Sequence, residues 1–233
     1  MRCELRNYIV AFLFAMLLSL IAQPSYAAGS QVRFCEFDQP KYEVKMAMAP
    51  TKYIRTKSAD FLTHSQGQEK SGSVVGGLGG GEIGYKSEVE LQVMSQNDRY
   101  CVGLSKVKVV FYGKPEVHIA SNFERGSCEY TAVLTHEQKH INTMKKFIRE
   151  YAPRFKREVR DISRNTKRFL GPMSKNQINY AQEKLQQPLN ETLERYLSQI
   201  LPVLSTRQSE IDTAQEYAAV RAKCKNWDAK LSR

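Results

Sequence analysis

The sequence predicts an α+β fold, in which an N-terminal antiparallel β-sheet is followed by a helical half. Two observations support this prediction. Residues 35–123 contain several short segments that are rich in β-branched and aromatic side chains, which is typical of strands. Residues 127–228 instead repeat their apolar side chains at intervals of three and four, which is typical of amphipathic helices.

The first 27 residues have the features of a secretion signal. Two arginines precede an apolar stretch at residues 8–21, and the small residues Ser25 and Ala27 favour cleavage directly after residue 27. An uncleaved membrane anchor is the alternative, but the apolar stretch is short for a bilayer span. We therefore expect residues 1–27 to be removed and residues 28–233 to form a single exported domain, periplasmic or secreted, with no transmembrane segment.

Five segments of the first half are predicted strands, because they combine β-branched or aromatic side chains with partial alternation. Gly113-Lys114-Pro115 lies between the last two and is typical of a turn, so these two are expected to form a hairpin. The predicted strands are residues 41–46, 52–56, 88–94, 101–112 and 116–120.

A glycine-rich segment at residues 72–84 separates two groups of these strands. Residues 79–84 formally match the G-x-G-x-x-G pattern of dinucleotide sites, but such a site needs a strand before it and a helix after it. Here a strand-like segment follows instead, and an exported protein lacks nicotinamide cofactors. We therefore predict a mobile loop, which could act as a flap near a cleft.

The most informative segment is His136-Glu137-Gln138-Lys139-His140. When residues 130–151 are wound as an α-helix, Glu137 and His140 fall within the apolar face and His136 lies at its edge. Burying an unpaired carboxylate there would be costly, and a divalent metal bound by the two imidazoles would remove that penalty. The alternative is a chance match on an amphipathic helix, with the two histidines as satisfied core residues.

The HExxH spacing of these residues suits the chemistry of a hydrolytic zinc site. Residues four apart lie about one helical turn apart on one side, so the imidazoles of His136 and His140 can bind one Zn²⁺. Glu137 points about 100° away from His136, which makes it a poor ligand but leaves it within reach of a water at the metal. It can then take a proton from that water as general base.

The predicted strands, the secretion signal, this motif and the helical C-terminal half together resemble the zincin metallohydrolases. The segment 128–140 is most similar to a bacterial family of predicted secreted zinc-dependent proteases, known as a domain of unknown function. The resemblance implies a zincin-like domain with Zn²⁺ as cofactor, Glu137 as general base, and His136 and His140 as ligands. It also implies a third ligand from the C-terminal helices, where this sequence retains the family's acid as Asp212 but lacks its histidine.

Helical periodicity gives a second view of that third ligand. Pro153 is predicted to kink or interrupt the first helix, and a last helix is predicted over residues 205–227. On the last helix, Glu216 lies at the edge of the apolar face, and Asp212 lies one turn earlier on the same side. The family resemblance favours Asp212 as the third ligand, and Glu216, which the helical wheel favours, is the alternative ligand. Helix capping by Asp212 and a solvated Glu216 are the other interpretation.

Four cysteines follow the signal, and an even number in an exported chain predicts two disulfides. If the last two predicted strands form a hairpin, the returning chain brings Cys128 close to Cys101. That pairing leaves Cys35 to bond with Cys224, which would tie the first strand to the last helix. No Cys-x-x-Cys pair is present, so thiolate ligation of a metal is not expected.

The formal net charge is +11, and much of the positive charge lies between residues 145 and 168. A basic exported protein favours anionic envelope surfaces such as lipid headgroups or cell-wall polymers, although a solvated helix face explains the same pattern. Nucleic acid is not an expected partner, because export removes the chain from most nucleic acids and no aromatic-interleaved basic motif is present.

These observations favour an exported zinc metallopeptidase that hydrolyses peptide bonds with a zinc-activated water. A strand edge at residues 116–120 would align an extended peptide or protein substrate, and His118 on that strand would stabilise the oxyanion or contact the substrate. Two alternatives remain open. One is a non-catalytic envelope binding protein with a structural or vestigial metal site, and the other is an amidase that acts on cell-wall peptide.

Overall fold

The computed structural model of the protein describes residues 34–67, 74–225 and 227–231. The predicted signal at residues 1–27 lies outside this described part of the chain. Among the described residues, no helix is both long enough and apolar enough to cross a membrane.

Strands and helices are interspersed along the described part of the chain. In chain order, the elements are β1 (Lys41–Met48), β2 (Lys52–Ile54), α1 (Ala59–Ser65), β3 (Gly77–Gln96), β4 (Arg99–Ile119), α2 (Cys128–Asn165), β5 (Phe169–Met173), α3 (Ile178–Ser209), α4 (Ala214–Ala222) and α5 (Trp227–Leu231).

Strand β4 is the centre of a five-stranded mixed sheet, because its 21 residues pair with each of the other four strands. β3 pairs antiparallel along one entire edge, while β1 and β2 pair in parallel with the other edge and β5 pairs antiparallel. The prediction of an N-terminal antiparallel sheet is therefore wrong, since the path β1-β4-β2 is parallel and β5 comes from the helical half. The reason is topological. In the described sheet, β1 and β2 do not pair with β3, the next long strand in the chain, but in parallel with β4, which the hairpin places between β3 and these earlier strands.

The predicted hairpin between residues 101–112 and 116–120 is wrong, because both segments belong to β4. The hairpin that is present joins β3 to β4 and turns at Asn97-Asp98. Asn97 and Asp98 have φ values of 49° and 56°, a conformation that a tight two-residue hairpin requires and that these residue types tolerate. β4 continues through Pro115, although a proline cannot donate a strand hydrogen bond. Opposite Pro115 in β3 lies Gly81, which has a φ of 132°, a conformation that strongly favours glycine. Residues 77–84 therefore form part of a strand instead of the predicted loop.

One face of β4 and one face of α2 form the centre of the core. Alternate residues of β4 point towards α2, and Val109 and Phe111 lie in one buried cluster with Phe147 and Phe155. The rings of Phe111 and Phe155 stack with their centroids 4.7 Å apart. Apolar residues of α3, including Leu193, complete the cluster. The buried side chains that recur at every second residue of β4 therefore pack against those that recur about every 3.6 residues on α2.

Prolines inside the long helices do not end them. α2 continues through Pro153, and α3 continues through Pro188 and Pro202. Pro153 is exposed, so the carbonyl group that it leaves without a helical donor can accept a hydrogen bond from water. The predicted interruption of the first helix at Pro153 is therefore absent from the described helix.

The predicted helix at residues 205–227 is divided in two. α3 ends at Ser209 and α4 begins at Ala214, where the Oγ1 of Thr213 accepts a hydrogen bond from the backbone N–H of Glu216 at 3.1 Å. This N-cap starts a new helix after a short loop. Asp212 therefore lies in the loop between α3 and α4 and not on a continuous helix.

The two disulfides join Cys35 to Cys101 and Cys128 to Cys224. The predicted pairs, Cys101 with Cys128 and Cys35 with Cys224, are wrong because β4 does not turn back after Cys101. It continues to Ile119, which is roughly 60 Å away at the usual strand rise, so Cys128 follows the far end of the strand. The first bridge ties the chain ahead of β1 to the start of β4, and the second ties the first turn of α2 to the segment after α4.

Candidate metal centre

The N-terminal part of α2 brings His136, Glu137 and His140 into the interior. Ser127 caps the helix, since its Oγ accepts a hydrogen bond from the backbone N–H of Tyr130 at 3.2 Å. The helix face that packs against the sheet also carries the three polar residues, which are 4%, 5% and 4% exposed. Polar groups buried to this extent require partners, which must come from other segments of the chain.

Asp212 brings a carboxylate to the two histidines. Its Oδ1 lies 3.2 Å from His136 Nε2 and 3.1 Å from His140 Nε2, and the two Nε2 atoms are 3.3 Å apart. The three atoms therefore form a nearly equilateral triangle, which we call the donor triangle. Both imidazoles are buried, whereas the Asp212 side chain is 36% exposed, so the triangle lies at the edge of the interior.

The donor triangle has the dimensions of a metal site. In a tetrahedral site with bonds of about 2.0–2.1 Å to Zn²⁺, neighbouring ligand atoms are about 3.3 Å apart, which the three distances match. Two imidazole nitrogens and one carboxylate oxygen also form a donor set that suits zinc, whereas calcium and magnesium favour oxygen ligands alone. The residues present therefore fit a zinc ion in both spacing and chemistry.

Each histidine has a partner at its other ring nitrogen. Gln208 Oε1 lies 2.5 Å from His140 Nδ1, and the Gln208 side-chain amide donates to the His140 carbonyl oxygen at 3.2 Å. On the other histidine, Glu216 Oε1 lies 3.4 Å from His136 Nδ1. Partners at Nδ1 fix the orientation of each ring and leave Nε2 directed at a shared ion.

The favoured third ligand, Asp212, and its alternative, Glu216, occupy different places. Asp212 contacts the Nε2 atoms of both histidines, whereas Glu216 lies behind His136 and pairs with Lys139 Nζ at 2.5 Å. The hydrogen bond with Lys139 lowers the pKa of Glu216. Burial would raise the pKa of Asp212, but its hydrogen bonds with the two histidines outweigh burial and lower it. Both groups are therefore ionised at neutral pH, with Asp212 at the donor triangle.

Glu137 lies beneath the first residues of β3. Burial raises the pKa of its carboxyl to about 7, although the two histidines and a hydrogen bond from the backbone N–H of Gly79 act in the opposite direction. A Cβ at Gly77 would lie 2.7 Å from Glu137 Oε1, and one at Gly79 would lie 2.6 Å from the Glu137 carbonyl oxygen. Only glycine allows β3 to approach α2 this closely. The strand therefore covers the carboxylate and holds it in place.

Tyr217 is a site residue that the sequence did not single out. Its ring centroid lies 5.5 Å from that of His136, and its side chain hydrogen-bonds with Asp212. Burial and this hydrogen bond raise the pKa of the phenol above its usual value, so Tyr217 stays protonated and donates. Its place on the apolar face of the last helix was a usable signal, but a tyrosine there is more often a core residue. Gln208 offered no comparable signal.

The structure does not bring His118 to the donor triangle. Its neighbours in β4, Val117 and Ile119, are buried in a cluster that includes Ile141 of α2. Because side chains alternate along a strand, His118 points to the opposite face of the sheet, where its Nε2 lies 3.7 Å from Glu116 Oε2. From that face it cannot contact an oxyanion beside His136 and His140.

No protein-family model, curated protein or solved structure matches this chain. The resemblance to the secreted zinc-dependent protease family therefore stays a prediction, which is carried by residues 128–140. The spacing and chemistry of the donor triangle do not depend on that resemblance.

Substitution of the two carboxylates should separate their roles. Asp212→Ala removes a donor atom and a charge, so stoichiometric binding of divalent metal should be lost. Glu216→Ala removes only the partner behind His136, so metal should still bind, about 10–100-fold more weakly. Metal content after dialysis and a competition titration with a chelator measure both effects. Glu210→Ala, an exposed acid at the end of α3, is the control and should leave affinity unchanged. Full affinity in Asp212→Ala would contradict the assignment.

The close approach of β3 to α2 can be tested at adjacent glycines. A methyl group at Gly79 would collide with Glu137, so Gly79→Ala should lower the free energy of unfolding by about 1–3 kcal/mol. A Cβ at Gly80 meets nothing within 4 Å, so Gly80→Ala should change it by no more than about 0.5 kcal/mol. Urea unfolding of the two variants measures the difference. Equal effects would mean that β3 does not lie against Glu137 as described.

Proposed function

We propose that this protein is an exported zinc metallopeptidase, which hydrolyses peptide bonds at the centre formed by His136, His140 and Asp212. The observation that carries the proposal is the convergence of three metal-donor atoms beside a buried glutamate that is not one of the donors. The motif resemblance described above supports the same activity. The two disulfides support export, because disulfides persist in oxidising compartments.

The residues around the donor triangle supply the steps of amide hydrolysis. When bound, zinc lowers the pKa of a water towards neutrality and polarises a substrate carbonyl. Glu137 accepts the proton of the attacking water and passes it to the amine that leaves. The backbone N–H of Gly79 holds the Glu137 carboxylate during this transfer. The protonated phenol of Tyr217 can donate to the carbonyl oxygen as that oxygen gains negative charge.

The substrate edge that we propose is β3 and not residues 116–120. His118 pairs with Ile54 of β2 on one side and with Leu78 of β3 on the other, so this part of β4 has no free edge. Among the described strands β3 pairs only with β4, which leaves its outer edge open beside Glu137. An extended peptide that adds to this edge would form main-chain hydrogen bonds next to the donor triangle. This geometry favours a peptide or protein substrate.

A non-catalytic envelope protein with a structural metal site is the second candidate function. The observation that favours it is the burial of Glu137, which is 5% exposed and covered by β3, whereas a general base must reach a water. In this alternative, the carboxylate stabilises the packing of β3 on α2 by accepting the hydrogen bond from Gly79. An amidase that acts on cell-wall peptide would use the same centre and differ in its substrate.

Substitution of the proposed base distinguishes these functions. Glu137→Gln keeps the shape of the side chain but cannot accept the proton, so casein hydrolysis should fall by at least about 100-fold. Zinc should remain at about one ion per chain, because the donor triangle is intact. Glu158→Gln, a half-buried acid further along α2, is the matched control and should keep both properties.

The substrate panel includes casein and cell-wall peptide fragments. Unchanged hydrolysis in Glu137→Gln would contradict the proposed mechanism. Zinc binding without hydrolysis of either substrate by the unmodified protein would favour the structural metal site. Cleavage of the cell-wall fragments alone would favour the amidase.

A further inference from the structure

One side of α2 carries a line of positive charge. At 100° per residue, six exposed basic residues between positions 146 and 164 fall within an arc of about 100°. The other residue in this arc is Pro153, and no acid lies within it. At 1.5 Å per residue, the line is about 27 Å long. These residues, which we call the basic stripe, are Lys146, Arg149, Lys156, Arg157, Arg160 and Arg164.

The basic stripe is separate from the ion pairs that α2 forms with its neighbours. Glu150 lies outside the arc and pairs with Arg207 of α3 at 2.7 and 3.1 Å, while Lys139 pairs with Glu216. Within the described residues, no carboxylate forms an ion pair with a member of the stripe. Stripe residues one turn apart are separated by about 6 Å, which is inside the Debye length of about 8 Å at physiological salt. They therefore repel one another, and an anionic partner would relieve that repulsion.

We propose that the basic stripe docks this protein onto a bilayer that contains anionic lipids, with this part of α2 parallel to the membrane plane. A convex ridge on a single helix can meet a flat surface along its length, and mobile lipids can gather beneath the cations. Apart from Pro153, the stripe has no apolar side chain to insert between lipids. Docking is therefore electrostatic and reversible by salt.

The composition of the stripe disfavours a nucleic acid as its partner. Proteins that bind single strands stack the bases on aromatic side chains, and proteins that read duplexes direct polar side chains at base edges. The arc contains no aromatic side chain for stacking, and beside its lysines and arginines it contains no asparagine, glutamine, serine or threonine for reading base edges. Charge complementarity with a planar anionic surface is what the stripe offers.

Docking through the stripe leaves the donor triangle accessible. On the helical wheel of α2, His136 and His140 point about 110° and 150° away from the middle of the stripe. The triangle therefore faces the aqueous phase and not the bilayer. Docking does not depend on the proposed hydrolytic function, so either can fail without the other.

Sedimentation with lipid vesicles tests the docking. In about 0.05 M NaCl, the purified protein should sediment with vesicles that contain about 30% phosphatidylglycerol but not with phosphatidylcholine vesicles, and about 0.5 M NaCl should release it. A quadruple variant should bind at least about tenfold more weakly, because it loses four stripe charges. Its substitutions are Lys156→Gln, Arg157→Gln, Arg160→Gln and Arg164→Gln.

A matched control loses the same number of charges from exposed lysines outside α2 and should bind within about twofold of the unmodified protein. The proteins compared are identical outside their substitutions, so any binding through other segments is common to all of them. The control substitutions are Lys41→Gln, Lys86→Gln, Lys184→Gln and Lys225→Gln.

Three results would overturn the proposal. Equal losses in the two quadruple variants would show that net charge alone drives binding. Equal binding to phosphatidylcholine vesicles would show that anionic lipid is not the ligand. Binding to a DNA duplex that anionic vesicles cannot displace would assign the stripe to nucleic acid. If the quadruple stripe variant does not fold, the double variant Arg160→Gln/Arg164→Gln replaces it. This double variant must bind the phosphatidylglycerol vesicles more weakly than both the unmodified protein and the control variant.

Discussion

The burial of His136, Glu137 and His140 on one turn of α2 is the constraint around which the neighbouring segments are arranged. These side chains lie on the face that packs against the sheet, where polar groups without partners are costly. Their partners come from distant segments, which supply the Asp212 carboxylate, the Gln208 amide and a backbone N–H of β3. The candidate centre therefore depends on long-range packing and not on the helix alone.

The length of β4 brings these segments together. Its alternate buried side chains pack against α2, and its two edges hold the other described strands. The glycines at the start of β3 allow that strand to lie directly on Glu137. The bridge between Cys128 and Cys224 fixes the start of α2 beside the segment after α4, and the loop ahead of α4 carries Asp212. The sheet, the glycines and the bridge each constrain a different side of the centre.

Local patterns predicted the motif helix, whereas the path of the chain required information that local patterns lack. The spacing of the two histidines and the glutamate follows from helical geometry, which neighbouring residues determine. The preference for Asp212 over Glu216 came from the family resemblance and not from local patterns, because the place of each carboxylate depends on where α3 ends and how the following loop turns. The sheet was mispredicted because the parallel pairing of β1 and β2 with β4 joins residues far apart in sequence. The disulfide pairs were mispredicted because Pro115 was interpreted as part of a turn. The strand continues there because Gly81 lies opposite, a pairing between residues far apart in sequence.

X-ray absorption at the zinc edge tests most directly the central claim, that two imidazoles and one carboxylate hold a single zinc ion. The zinc-loaded protein should show only nitrogen and oxygen neighbours, at about 2.0–2.1 Å, together with the outer scattering of two imidazole rings. A sulfur neighbour at about 2.3 Å, or a spectrum without imidazole scattering, would contradict the proposed centre.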